Sequence, residues 1–251
     1  MRKTVVDTRI ADSVRELYRV FKPFRVRRHP EGCPCCVSDA DKRRLFSKPL
    51  EELTADDLAR FAWSALLTWG SVEDLKHFLP RLMELIAINE CAPLEREVLL
   101  GTLRLAEWKA WPERERDALV EFLNAAWFDC LSSQGGSVWL DELLCGLGRA
   151  VDNLRPYLER WSECRLRTAY EHLVQYVDEN QARLLKRRHL ANSFWSNAEP
   201  QMLQVVEWLL SPKTSEGLER LFRENADAEF SDALAAAIDR LNGLRQSLNA
   251  K

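Results

Sequence analysis

A chain of 251 residues with 46% hydrophobic content can bury a substantial core, as one large domain or two small ones. Charged residues make up 30%, and glycine and proline number only 9 and 10, which excludes a disordered chain and a turn-rich all-β architecture. The net charge of −3 is unevenly spread: residues 1–48 hold 13 Lys/Arg against 6 Asp/Glu, and the rest of the chain is acidic.

The first predicted helix runs from about residue 8 to 22, with Ile10, Val14, Leu17, Tyr18 and Phe21 at helical spacing and Pro23 beyond them. The segment 23–49 is rich in Arg, Pro and Gly and has little periodicity; Ser38-Asp39-Ala40-Asp41 caps at most one short helix in it. So long a connection is usually functional, metal-held or mobile. Thr54 is an N-cap for a helix with Leu58, Phe61, Ala62, Ala65, Leu66 and Trp69 on one face and Gly70 as its C′ residue. Ser71 caps the next, which carries Leu75, Phe78, Leu79, Leu82 and Ile86 and kinks or restarts at Pro80.

Pro93 opens a helix to about Trp108. Pro112 opens the cleanest apolar stripe, through Leu119, Phe122, Leu123, Ala126, Trp127 and Cys130. Ser132 to Ser137 reads as a flexible linker between two helical halves, 1–131 (with the cysteine loop 23–49) and 138–251, forming one continuous globular unit. Helices are predicted over Val138–Leu147, Asp152–Trp161, 166–177 and between Pro200 and Pro212, with a last one from Ser231 through Leu241. The helix pairs starting near Thr54 and Pro93 are offset by about 40 residues, as in HEAT-like repeats. The expected fold is therefore all-α: an antiparallel helical array, α-solenoid-like, or an irregular multi-helix bundle with an irregular N-terminal cysteine loop.

No stretch approaches 18 consecutive apolar residues, and Met1-Arg2-Lys3-Thr4 leads into a charged segment, so neither a signal peptide nor a membrane partner is expected. Seven cysteines is an odd number, and Cys91, Cys130, Cys145 and Cys164 lie in apolar helical segments. Buried free thiols in a reducing cytoplasm are the expectation.

His29-Pro30-Glu31-Gly32-Cys33-Pro34-Cys35-Cys36 concentrates soft ligands in eight residues. The chemistry suits zinc, and Arg25, Arg27 and Arg28 would favour thiolates. Cys33 and Cys36 make a C-x-x-C pair with no second pair elsewhere, so this is half a metal site. His29 is the local candidate for a fourth ligand, and His77, Cys91 or His172 would have to arrive through folding. Redox chemistry and inert thiols in a tight turn are the alternatives. The cluster resembles the start of small bacterial cysteine-rich domains built round Cys-Pro-Cys-Cys. Those have a downstream cysteine pair that this chain lacks, so their metal site is not carried over. Glu31–Cys36 and Lys76-His77-Phe78-Leu79-Pro80-Arg81-Leu82 resemble segments of uncharacterised bacterial proteins of similar length, a resemblance that implies a bacterial cytosolic protein and brings no activity.

Asp74 and His77 lie three apart on one helical face, where a carboxylate can orient an imidazole, but a capped helix start is the plainer reading. Lys186-Arg187-Arg188-His189 reads as a solvated helix end. Of nine tryptophans, Trp108, Trp111, Trp139 and Trp195 fall near helix ends and are candidates for an interaction surface. With no catalytic motif, the leading expectation is a non-catalytic protein-interaction module, an immunity-type inhibitor of a toxin being its specific form, with the cysteine loop as a structural staple and a structural zinc as its candidate cofactor. A metal-dependent or thiol enzyme using Cys33, Cys35 and Cys36 is the alternative. Nucleic-acid contact through residues 1–48 ranks last, because the basic end can dock on the acidic body and no aromatic interleaving is read in it.

Overall fold

A computed structural model describes residues 8–26, 30–134, 137–225 and 228–249. These residues are all-α. They form α1 (Thr8–Phe21), α2 (Asp39–Leu45), α3 (Ala55–Ser64), α4 (Val72–Ala87), α5 (Arg96–Leu105), α6 (Glu113–Ser132), α7 (Ser137–Ala150), α8 (Arg155–Glu163), α9 (Arg167–Arg187), α10 (Glu199–Leu209), α11 (Pro212–Asn225) and α12 (Ala228–Asn249), with short 3-10 turns at Leu50–Glu52, Trp108–Ala110 and Ser193–Asn197. No strand occurs among the described residues, only isolated bridges of Trp69 with Gly32 and with Ala65. No described helix is long and apolar enough to cross a membrane.

Local chemistry explains the helix starts. Ser38, Thr54 and Ser71 each accept from the backbone N–H three residues on, and Asp41, Asp57 and Asp74 return a hydrogen bond to the cap N–H. Each such box satisfies two donors that a helix start leaves orphaned. Asp74 thus serves as a cap, while His77 Nδ1 faces the Phe24 carbonyl. Pro80 does not restart a helix: α4 runs through it from Val72 to Ala87.

The end of α3 departs from the expectation. The helix stops at Ser64, and Ala65 to Trp69 fold into a tight turn in which the Leu66 N–H donates to the Trp69 carbonyl. Leu66 takes a positive φ of 65°, an uncommon conformation for a bulky residue. The turn brings the Trp69 indole back against Phe61, edge to face at 5.5 Å, where it is 2% exposed.

Contacts divide the chain into two compact units, Met1–Asp129 and Cys130–Lys251, a division that falls near the end of α6. In the first unit α1 lays Ile10, Val14, Leu17 and Phe21 on α4, while α3 packs on α2, α4 and α5. Each such fully buried side chain contributes about 1.5–3 kcal/mol. In the second unit α12 packs on α9 and α11, and α7 on α9 and α10. Gly148 on α7 permits the approach of the Ser193–Asn197 turn, because a Cβ there would stand 2.5 Å from a ring carbon of the buried Trp195. The principal contacts in both units join helices one to three places apart in the chain, a pattern common to arrays and bundles.

Candidate metal centre

The irregular segment that carries the cysteines is held by its backbone. The Cys33 N–H donates to the Thr68 carbonyl at 2.8 Å and the Gly70 N–H to the Glu31 carbonyl at 2.8 Å, so Gly32 and Trp69 pair as one rung of an antiparallel ladder. The Trp69 indole N–H donates to the Pro30 carbonyl at 3.2 Å. Arg60, on α3, donates from Nη2 to the Cys36 carbonyl. Gly32 is required where it stands: a Cβ would come within 2.9 Å of Val37 Cγ2 and 3.1 Å of Trp69 Cδ1, both on buried side chains.

Beyond this rung the chain turns back on itself. The Cys33 carbonyl accepts from the N–H groups of Cys36 and Val37 at 2.9 and 3.0 Å, with Pro34 in the first corner position, where its fixed φ suits a turn. Val37 is buried and anchors the far side, and Ser38 starts α2 directly after it. The turn gathers the three sulfurs, which all lie within 4.8 Å of one another. Cys33 Sγ is 2.9 Å from Cys35 Sγ, which is 3.6 Å from Cys36 Sγ. Cys35 is exposed, and Cys33 and Cys36 are partly so.

Their chemistry is unequal. The Cys35 thiol donates to Cys33, with the Cys35 backbone and the Cys36 thiol adding to it, and this lowers the Cys33 pKa. Cys35 is pushed up to about 11, because its proton is held by Cys33 and, secondarily, by Cys36. Of these two, Cys33 is the more readily deprotonated. Metal binding must displace the thiol protons and strengthens as pH rises.

The three thiols can hold a metal ion, and their softness suits zinc, copper(I) and other thiophilic ions. Thiolates on a tetrahedral zinc lie about 3.8 Å apart, from a bond of about 2.3 Å, so the observed spacing needs only small side-chain adjustments. The donor set fits three of four positions. Among the described residues no His, Cys, Asp or Glu joins the three. His29, the expected fourth ligand, lies outside the described residues, as do Arg27 and Arg28.

His77 is engaged elsewhere: its Nδ1 faces the Phe24 carbonyl at 3.0 Å and its ring packs edge-on against Phe78. Cys91 is buried and directs its thiol to the Leu85 carbonyl at 3.2 Å. His172 Nε2 faces the Ser133 carbonyl at 2.9 Å. None of these three side chains belongs to the sulfur group. Arg25 lies along a separate groove, whereas Arg60, 24 residues beyond Cys36, places its guanidinium on the cysteine loop.

The four tryptophans expected at a surface are inside. Trp108, Trp111, Trp139 and Trp195 are 5, 7, 5 and 0% exposed. Position near a helix end does not expose a ring when the adjoining turn folds back over it: the Trp111 N–H donates to the Ala106 carbonyl at 2.9 Å, closing such a turn. The exposed apolar side chains beside the cysteine loop are Trp63, one helical turn beyond Arg60 on α3, and Leu67, next to Thr68 in the strained turn. Comparison with protein-family models, curated proteins and solved structures finds no match to this chain.

Proposed function

We propose that the protein is a non-catalytic protein-interaction module whose contact surface is the cysteine loop, loaded with a thiophilic metal such as zinc, together with Trp63 and Leu67. The observation that carries this reading is the convergence of three solvent-accessible thiols on a loop whose backbone is already satisfied by Thr68, Gly70, Trp69 and Arg60. A metal here shapes a surface. Leu67 at 67% exposure and Trp63 at 45% supply apolar anchors next to it, the type of side chain that carries binding energy at interfaces. A bacterial immunity-type inhibitor, a cytoplasmic protein that occludes a toxin, is the specific form we favour, because such a role needs a shaped surface and no catalytic group.

The test has two readouts. Elemental analysis of the full chain purified without added metal is expected to give one thiophilic ion per chain, lost in Cys33→Ser and Cys36→Ser with helical content unchanged. Co-purification from the native host is expected to recover a stoichiometric protein partner with the wild type and to lose it with Leu67→Asp. Absence of metal in the wild type overturns the first part; a partner retained by Leu67→Asp overturns the second.

A second reading, thiol chemistry at Cys33, is favoured by the approach of Cys35 Sγ to Cys33 Sγ at 2.9 Å, a contact that lowers the Cys33 pKa. It requires Cys33 to react with iodoacetamide before the other thiols in metal-free protein.

A further inference from the structure

The basic N-terminal segment does carry interleaved aromatic rings, which corrects the sequence expectation. Tyr18, Phe21 and Phe24 are each followed directly by a cation. The end of α1 and the chain after it place these residues along a groove of about 710 Å³ in the first unit, which Leu50, Glu51, His77 and Pro80 also line. That volume lies within the usual range of small-molecule sites.

The groove offers complementary features. Lys22 and Arg25 are exposed, and neither has an ion-pair partner among the described residues, whereas Arg19 is taken by Glu16 through its Nε at 2.6 Å. The partly buried rings of Tyr18 and Phe24 supply apolar wall. The carbonyl of Phe24 can only accept, so His77 Nδ1 carries the hydrogen of their 3.0 Å contact and Nε2 is left for a ligand. Glu51 is an acceptor. An inorganic anion would use the cations and leave the aromatic wall wet.

We propose that this groove binds a phosphate-bearing ring compound of the nucleotide class. The phosphate pairs with Lys22 and Arg25, the ring lies against Phe24 and Tyr18, Glu51 accepts from an exocyclic amine, and His77 Nε2 accepts from a sugar hydroxyl. A free nucleotide and the end of a single strand share this chemistry. Two phosphate-binding cations with aromatic walls are the elements by which proteins hold single strands.

The full chain is titrated calorimetrically with AMP and, separately, with a single strand of ten deoxyadenylates. Saturable binding at one site per chain is expected, with inorganic phosphate and adenosine each at least about tenfold weaker than AMP. Lys22→Glu and Arg25→Glu sit on exposed positions and leave the circular dichroism unchanged; each is expected to weaken binding about tenfold or more. AMP binding as well as the strand identifies the free nucleotide as the ligand. Tighter strand binding, with a log–log salt slope reduced by about 1.4 in the double variant, identifies the strand. Failure of both probes to saturate at about 1 mM, or undiminished binding by the double variant, overturns the proposal.

Discussion

Replacing Lys76 by methionine tests whether the first unit is anchored by a buried ion pair. Lys76 is 8% exposed; its Nζ lies 2.6 Å from Glu115 Oε2, and it stands 4.3 Å from the Trp111 ring centroid and 4.8 Å from that of Phe24. Methionine keeps most of the unbranched apolar stem and removes the ammonium group, leaving the Glu115 carboxylate, itself 12% exposed at the side chain, without its counter-ion. Breaking a buried pair from one side costs about 3–5 kcal/mol. Two lost cation–π contacts add about 1–2 kcal/mol, of which sulfur–ring contacts return a part. The net expectation is a loss of about 4 kcal/mol, a large share of a typical stability of about 5–15 kcal/mol. Lys76→Met/Glu115→Gln, which removes the stranded charge as well, should recover about 2 kcal/mol of it. Urea unfolding followed by tryptophan fluorescence, on wild type, both single variants and the double variant, measures the cycle. A loss below about 1 kcal/mol in Lys76→Met, or simple additivity in the double variant, refutes the anchor.

Two further perturbations address the cysteine loop and its neighbourhood. Gly32→Ala drives a methyl group into Val37 and Trp69, neither of which has room to retreat, at a cost of about 1–3 kcal/mol to loop docking. Metal affinity measured by chelator competition should fall about tenfold, and unchanged affinity would show that docking does not set the thiols. Asp57 supplies a pH signature. Burial raises its pKa, but hydrogen bonds from Lys48 at 2.8 Å and from the Thr54 N–H and hydroxyl outweigh this and hold it at about 2. Since the folded value lies below the unfolded one of about 3.9, the contribution is complete above that pH and is lost as pH falls toward 2. After solvent screening it amounts to about 1 kcal/mol. Asp57→Asn should therefore be the less stable protein at pH 6, with the gap closing between about pH 4 and pH 2 in urea titrations; a gap that persists at pH 2 contradicts this linkage.

Most helices were legible because their signals are local. Ser38, Thr54 and Ser71 announce their boxes within four residues, and the stripe from Leu119 to Cys130 needs only the helical period. α11 was missed as a separate helix because Thr214, Ser215 and Gly217 dilute its pattern, although it buries Leu218 completely. The end of α3 was misplaced by a long-range cause: Trp69 returns to Phe61 and to the Pro30 carbonyl, 39 residues away, and the helix gives up its last turn to let it. The tryptophans failed for a related reason, since proximity to a helix end says nothing about what folds over the ring. Spacing alone revealed that Cys33, Cys35 and Cys36 belong together. It could not reveal Arg60 and Thr68, which meet the loop only through the packing of α3 and the turn after it.

Those hidden contacts bear on what the thiols are for. The carbonyls of Pro30, Glu31, Cys33 and Cys36 and the N–H groups of Cys33, Cys36 and Val37 all find partners without any sulfur taking part. Each such bond adds about 0.5–1.5 kcal/mol net, and Val37 and Trp69 add buried apolar area beneath them. A segment ordered in this way does not need a metal to close it, unlike small domains that fold only when their ligands are joined by an ion. Yet the same turn leaves Cys35 exposed and sets three sulfurs on one spot, where hydrogen bonds to Cys33 and Cys36 keep its thiol protonated up to about 11. Because backbone and core hold the loop while the sulfurs converge at the surface, an ion bound there could be removed without unfolding the helices that present it.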